Sequence, residues 1–551
     1  MPIVSPLSRD SSPAPAALRE SSWAPLRHHV FRALWVATIA SSIGTWMHDT
    51  AATWLMTSLS TSTLLVALMQ TATSLPILFL ALPAGALADI IDRRRLLIVT
   101  QTWMLAAAAL LGVLTLAGVM TPWLLLFLTF VLGLGTALNT PAWQATTPDL
   151  VPRDELPAAV ALGGMATNIA RAVGPAIGGL LVAAIGSGGV FLLNACSFIA
   201  VVAVLRQWRS TPTESVMPAE RVVGAMRAGI RYLRHAPAVH AVLIRCATFI
   251  LGASAVWALL PVLAARELHM GAMGYGLLLG SLGVGAIVGG AVLGWFRRAH
   301  SSDHLVAGAS VAYAAATLVL AWVRIVPVLC AALFVAGMAW MIAMPVFNIA
   351  TQRASPDWAR ARMLSVYVLA FMGGMAVGSA LWGVVATHAG ISVALTAASG
   401  VLIVGLGATA RFRLTVWEGL DLSPSDHWRD PVVSGAVSPE DGPVLITVEY
   451  RVASADAAGF AAAMQRVGQL RRRDGSLTWG LYRDTADPER YLETFVSESW
   501  GEHMRQHARA TMADRRIEAQ ARRLHMGDEP PRVSHLIHAP TGPVHGDVPF
   551  G

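Results

Sequence analysis

The chain has 551 residues, of which 55% are hydrophobic and only 13% charged, and its mean hydropathy is +0.56. A charged share about half that of a typical globular chain excludes an ordinary water-soluble protein. The formal net charge of +7 does not point to nucleic acid, because the basic residues flank apolar runs, where they act as topology signals.

Residues 1–30 are rich in Ser, Pro and Ala and have no apolar core before a small-residue cleavage site, so they read as a disordered cytoplasmic lead-in. A bilayer crossing needs about 20 mainly apolar residues. Twelve runs qualify, at roughly 31–57, 64–88, 96–118, 122–146, 157–184, 188–206, 239–264, 272–296, 304–323, 325–351, 361–387 and 389–411. They divide into a six-helix bundle over 31–206 and a second over 239–413, joined by a basic, amphipathic connection at 207–238. Arg27, Arg32, Arg93 to Arg95, Arg153, the run from Arg206 to Arg234, Arg297, Arg298, Arg353 to Arg362, Arg411 and Arg413 fall on one side. Only Arg266 and Arg324 fall on the other. The positive-inside bias then places both termini in the cytoplasm of a multi-pass protein of the inner (plasma) membrane. Cys196, Cys246 and Cys330 lie in or beside apolar runs, with neither disulfide nor metal spacing.

The two halves repeat. Gly85, Arg93 and Arg94 are matched by Gly289, Arg297 and Arg298; Pro141 by Pro345; Gly174 and Gly179 by Gly378 and Gly383. One offset of 204 positions fits them all without a gap. A chain of two like halves with a path between them is the architecture of secondary transporters.

The loop after the second run reads Gly85-Ala-Leu-Ala-Asp89-Ile-Ile-Asp92-Arg93-Arg94-Arg95. It resembles the loop signature of the major facilitator superfamily, matching at Gly85, Asp89, Arg93 and Arg94 and departing at Ile90 and Asp92. The resemblance implies a conformational latch at Asp89, weakened in the second copy, where Leu293 replaces the acid. The alternative is a positive-inside loop with one solvated acid. Arg171-Ala-Val-Gly174-Pro175-Ala-Ile-Gly178-Gly179 resembles the Gly-Pro-x-x-Gly-Gly motif of exporters in that superfamily, and ordinary small-residue helix packing is the competing reading. The wider text from Asn139 through Arg153, Asn168 and Pro175 to Asn194 is similar to the transmembrane secretion effector branch, which includes enterobactin-type siderophore exporters.

Asp49 and Arg171 fall inside apolar runs, where charge is costly and marks a pathway or a pair. Asp49 reads either as a proton carrier or as a solvated acid near its helix end, with Arg171 as its modulator or as an anion site. Asn139, Gln144 and Asn168 read as cavity-lining groups or as plain interhelical hydrogen-bonding groups. No charged residue marks the middle of runs seven to twelve, so any proton site belongs to the first half.

The tail has another grammar. Residues 414–442 read as a linker, 443–540 as a soluble α+β domain and 541–551 as a short tail. Strands are predicted at 444–451, 477–482, 490–496 and 533–538. Ser454 is the expected N-cap of a helix over 454–473, which Asp474-Gly475 stops, and 500–524 reads as a second helical stretch, continuous or broken. This β-α-β-β-α-β order predicts a ferredoxin-like sandwich. Trp500, His503 and His507 share one helical face and resemble antibiotic-biosynthesis-monooxygenase-like domains, which form dimeric α+β barrels. The resemblance implies either oxidative chemistry or a dimerising or regulatory module with surface histidines. No metal or other cofactor is expected, since the paired histidines lack the glutamate of a metalloprotease helix.

The fold class is therefore an all-α membrane protein of twelve helices in two six-helix repeats, with a small ferredoxin-like domain appended. The expected function is not enzymatic. It is export of a small, largely apolar drug or siderophore by proton antiport and alternating access. The expected partners are the lipid bilayer, the cargo, protons and a second copy through the tail. The rivals are a membrane-tethered monooxygenase and a ligand sensor acting through that tail.

Overall fold

The computed structural model describes residues 23–90, 92–152, 154–208, 229–414, 421–425, 427–428, 431–527 and 529–539. The lead-in up to residue 22, residues 209–228 of the central connection, 415–420 and the 541–551 tail lie outside them. So do the side chains of Gly85, Asp89 and Asn168. The chain divides into two compact units: Met1–Leu55 with Pro83–Pro212 and Gly271–Gly280, and Met56–Leu82 with Thr213–Met270 and Ser281–Gly551.

Among the described residues eleven helices are long and apolar enough to cross a membrane. In chain order they are α1 His29–Leu59, α2 Thr63–Ile90, α3 Arg93–Leu116, α4 Pro122–Leu150, α5 Leu156–Gln207, α6 Pro237–Val262, α7 Ala272–Ala299, α8 Ser302–Trp322, α9 Val326–Arg353, α10 Asp357–Ala389 and α11 Ile391–Ala408. The helices α2 and α7 are each shared between the two units.

The 52-residue α5 is too long for one crossing. A side chain on Gly174 would meet Trp46 and Ile43 of α1, and one on Gly44 of α1 would meet Asn194. Two stations twenty residues apart on α5 thus touch one turn of α1, whereas a straight helix would hold them about 30 Å apart. The chain reverses at Gly186, whose φ of 73° and ψ of 167° lie outside the helical region and are open to glycine. The uncharged stretch between the predicted fifth and sixth runs is this reversal.

Helix ends follow local rules. Asp92 caps α3, its Oδ1 accepting from the Arg95 N–H at 2.8 Å. Its departure from the loop signature therefore has a structural use. Arg94 donates to the carbonyls of Leu205 and Arg206, each at 2.8 Å, so it closes the C-terminus of α5.

In the second unit Arg245, 5% exposed and well inside α6, is paired to Asp303 in the first turn of α8. The same Asp303 oxygen accepts from the Leu414 N–H at 2.9 Å. Arg245 lies in the first third of the seventh run, short of its middle, and sequence alone does not single it out. A buried guanidinium is tolerated because its carboxylate partner is brought from another helix.

The C-terminal part contains β1 Val444–Arg451, β2 Thr478–Arg483, β3 Arg490–Ser497 and β4 Arg532–Ile537, with α12 Ala457–Asp474, α13 Trp500–Arg509 and α14 Met512–Arg522. The sheet order is β2-β3-β1-β4, antiparallel throughout. Burial alternates along β1 and β3, and Val444, Ile446, Val448, Phe495, Phe460 and Met464 fill one core between sheet and helices. The expected cap at Ser454 is not made: Ser454–Asp456 is a 3-10 turn, and α12 starts after Asp456 without a side-chain cap. Gly475, at φ 139°, ends it as expected. The 500–524 helix is broken at Ala510, and Thr511 restarts it through a reciprocal capping box with Asp514. Part of the connection is bonded into this domain, since Met512 N–H and Ala513 N–H donate to the carbonyls of Ser423 and Asp421 at 3.0 and 2.8 Å.

Candidate functional site

Small residues decide how closely helix backbones approach. On α5 an added Cβ at Gly174 would stand 2.5 Å from the Trp46 Cβ, and one at Gly178 would stand 2.9 Å from the Met47 Cα. At Gly179 it would meet the Gly276 Cα of α7 at 2.7 Å. The second copy repeats the scheme. Gly378 of α10 abuts Ser254 of α6, and Gly383 abuts Ala67 of α2, whose Cβ would stand 2.6 Å from an added one. The 204-residue spacing in sequence is thus a repeat of contacts: the first glycine of each pair seats the first helix of its half, the second seats a helix from the other half of the sequence. The loop glycine of the second copy, Gly289, takes the Met338 backbone of α9 at 2.8 Å. Arg297 and Arg298 at the end of α7 are exposed. Pro175 and Pro345 lie inside their helices and remove one backbone donor each.

The contact of α1 with Gly174 and Gly178 brackets the turn that carries His48 and Asp49. His48 is fully buried, lies 4.5 Å from the Phe191 ring, and neither of its ring nitrogens has a partner among the described residues. Asp49 is half-buried. Arg171 is half-buried, its guanidinium carbon 5.7 Å from the Trp46 ring centroid and its Nε without a partner among the described residues. Both belong to the layer in which α1 and α5 pack. Sequence alone does not single out His48, because a lone histidine beside Asp49 carries no local signal; its burial comes from Phe191, far along the chain.

The expected polar lining is divided. Asn139 Oδ1 accepts from Thr100 Oγ1 at 3.1 Å and Gln101 Nε2 at 3.2 Å, so it is an α3–α4 tie. Gln144 is exposed.

In the C-terminal domain His503 is buried, in contrast to the surface histidines expected there, because α13 packs it against the sheet face bearing Phe495. Its ring centroid is 4.8 Å from that of His507 and 4.9 Å from that of His535 on β4. Trp500 flanks both His503 and His535, at 5.7 and 6.1 Å. Burial, with the neighbouring His507 and His535, lowers the His503 pKa to about 3, so the ring is neutral near pH 7. Beside it runs a buried polar network. Arg471 donates to Glu493 at 3.0 Å and Glu518 at 2.7 Å; Tyr450 and Trp479 also donate to Glu493, and Trp428 to Glu518. Burial pushes the Tyr450 hydroxyl well above its ordinary range, and the Glu493 charge adds to this.

Eleven membrane-length helices among the described residues, seamed by glycines that recur at one spacing, define a polytopic membrane protein of two like repeats. A family model described as transmembrane secretion effector matches residues 20–542, and the chain belongs to that family. It is 32% identical over 165 residues to the staphyloferrin A transporter of Staphylococcus aureus, a match covering 30% of this chain and 42% of that one. It is 27% identical over 407 residues to the enterobactin exporter EntS of Citrobacter koseri, covering 70% of this chain and 94% of that one. The multidrug efflux pump Tap of Mycolicibacterium fortuitum is 25% identical over 392 residues, covering 68% and 93%. The chain spans less than half the length of some curated relatives it matches, such as the 42% just given. Solved structures share the fold: a bacterial homolog of the lysosomal transporter Spinster, with TM-score 0.54 and 14% identity, covers 72% of this chain and 97% of its own. The nucleoside transporter NupG, with TM-score 0.56 and 11% identity, covers 70% and 99%.

Proposed function

We propose that this protein is a secondary active exporter of a small, largely apolar molecule, a siderophore or a drug, working by alternating access. The reading has twelve crossings, counting α5 as a hairpin of two, in the inner membrane with both termini cytoplasmic. The observation that carries it is the repeated glycine scheme: Gly179 against Gly276 and Gly383 against Ala67 are equivalent seams one repeat apart. Seams closed by glycine against a backbone or a single methyl carry no interlocking side chains, and a two-repeat carrier requires joints that can move as rigid bodies. The named activities of the siderophore and multidrug relatives supply the direction and the cargo class.

Coupling is by protons. Asp49 and the adjacent His48 are the groups of α1 that exchange a proton as their layer gains and loses water, and Arg171 tunes them. Asp89 serves as the latch, with Gly85, Arg93 and Arg94. Proton binding that differs in strength between the two access states drives the cycle. The β2-β3-β1-β4 domain is read as a ferredoxin-like, monooxygenase-like module that dimerises through its outer sheet face and regulates rather than catalyses.

The test is efflux from cells, and from proteoliposomes under an imposed pH gradient. Asp49→Asn and His48→Gln are each expected to abolish gradient-driven export while leaving exchange of bound cargo intact. Full gradient-driven export by both variants would remove proton coupling from this layer.

A further inference from the structure

We propose that His503, His507 and His535 bind one divalent transition-metal ion of the zinc(II) type in the C-terminal domain. This goes beyond the export reading and does not depend on it, and it replaces the expectation that the domain holds no metal.

Local structure brings the three rings together. His503 and His507 stand one helical turn apart on α13, on one face. His535 lies on β4 in register with Ile446 of β1, on the sheet face that packs against the helices. The ligand nitrogens of all three residues lie within 4.8 Å of one another. A tetrahedral zinc ion with bonds of about 2.05 Å spaces its ligands by about 3.3 Å, so closure asks for ring movements of about 1.5 Å or less.

The second observation is the state of His503. It is 1% exposed, and neither Nδ1 nor Nε2 has a hydrogen-bond partner among the described residues. Gln506, three residues further along the helix, is already committed to Ser497, Ser476 and the Arg471 carbonyl. A buried polar ring with no well-aligned hydrogen bond at either nitrogen, Gln506 being the one hydrogen-bonding side chain close enough to act on it among the described residues, is destabilising and rare, and a bound ion satisfies it. Its neighbours also restrict it: Trp500 flanks His503 and His535, and Trp428 stands edge-on to His507 at 4.9 Å.

Three imidazole nitrogens without thiolate or carboxylate suit zinc, nickel or copper, and not magnesium or calcium. His507 and His535 are half-buried, so the fourth position opens toward solvent and takes water or a small anionic ligand. The nearby Arg471 guanidinium does not exclude a cation, because Glu493 and Glu518 neutralise it.

The experiment uses the full-length, tag-free chain in detergent, stripped with a chelator and titrated with zinc(II) and cobalt(II). One zinc per chain is expected, with visible cobalt bands of a four-coordinate ion and a rise in unfolding temperature on zinc addition. His503→Gln, His507→Ala and His535→Ala are each expected to weaken binding by about 100-fold or more. The exposed His388→Ala is expected to leave it unchanged. The two half-buried positions keep the test decisive where removal of His503 disturbs packing. Zinc uptake by the parent chain no tighter than by the His507→Ala/His535→Ala double variant, or the absence of four-coordinate cobalt bands, overturns the proposal.

Discussion

Arg231, on the helical residues 229–234, places its Nη2 2.9 Å from Oε1 of Glu502 in the first turn of α13. Arg509 Nη1 reaches the same oxygen at 2.6 Å, and Arg505 Nε takes the other oxygen at 2.9 Å. Burial raises the Glu502 carboxyl, but the Arg509 and Arg505 charges outweigh it and hold it below its ordinary range. Glu502 is thus a negative hub, and Glu502→Ala removes the carboxylate from three guanidinium groups. A loss of about 3 kcal/mol in domain stability is expected. Faster proteolysis between 421 and 443 in the full chain, with a lowered unfolding temperature, would register it; unchanged cleavage would argue against the hub.

The glycine seams predict paired lesions. Gly179→Val and Gly383→Val each drive a side chain into contacts of 2.7 and 2.6 Å. Both are expected to cut efflux at least tenfold with the protein still monodisperse in detergent. Gly163→Ala, with nothing within 4 Å of its added methyl, is expected to retain export. Normal export by both valine variants would separate the seams from the transport cycle.

The Arg245–Asp303 pair is expected to behave as a buried ion pair. Arg245→Met removes the guanidinium from Asp303, leaves the Leu414 N–H bond, and should destabilise the second unit by about 3 kcal/mol. The Arg245→Met/Asp303→Leu double variant should recover part of that loss, short of the cost of leaving the buried Leu414 N–H without its acceptor. Thermal unfolding of the four members of the cycle measures the coupling, and strict additivity would contradict it.

Glu518 makes the tail domain acid-sensitive in a defined window. Burial pushes its carboxyl up, but Arg471, His427 and Arg522 overcome this and bring it down to about 2 from an ordinary 4.5. A depressed folded-state pKa contributes stability that is complete above pH 4.5 and fades as the pH falls toward 2. The contribution is roughly 3 kcal/mol. Trp428 donates to Glu518, so its fluorescence reports the loss. Glu518→Gln should remove that acid transition and lower stability at pH 7.

The spans are legible because twenty-residue apolar runs bounded by arginine admit one reading, and the reversal at Gly186 falls where charge vanishes. The strands of the tail are legible from alternation such as that of β1. What is not legible depends on distant partners. The burial of Arg245 has no local signal, because its partner Asp303 is 58 residues away. His535 sits on an edge strand, and no spacing rule ties it to His503. For Asn139 the choice between cavity lining and interhelical bonding is not legible, because its donors, Thr100 and Gln101, arrive from another helix. Ser454 fails as a cap because the chain winds a 3-10 turn over Ser454–Asp456 before the helix begins.

The tail domain is fastened at more points than the carboxylate hub. Arg509 lies over Trp358 at 4.9 Å and Arg473 over Tyr232 at 5.7 Å, while the Tyr232 hydroxyl donates to the Ala354 carbonyl at 2.9 Å. Arg509 thus grips the first turn of α10 and Tyr232 the residues just before it, on the same helix whose Gly378 and Gly383 form seams at most about 40 Å up its length, at about 1.5 Å per residue. A tilt of that rod would swing the appended domain like a pointer on a dial, and a dye pair spanning the two is expected to report it without any label in the lipid.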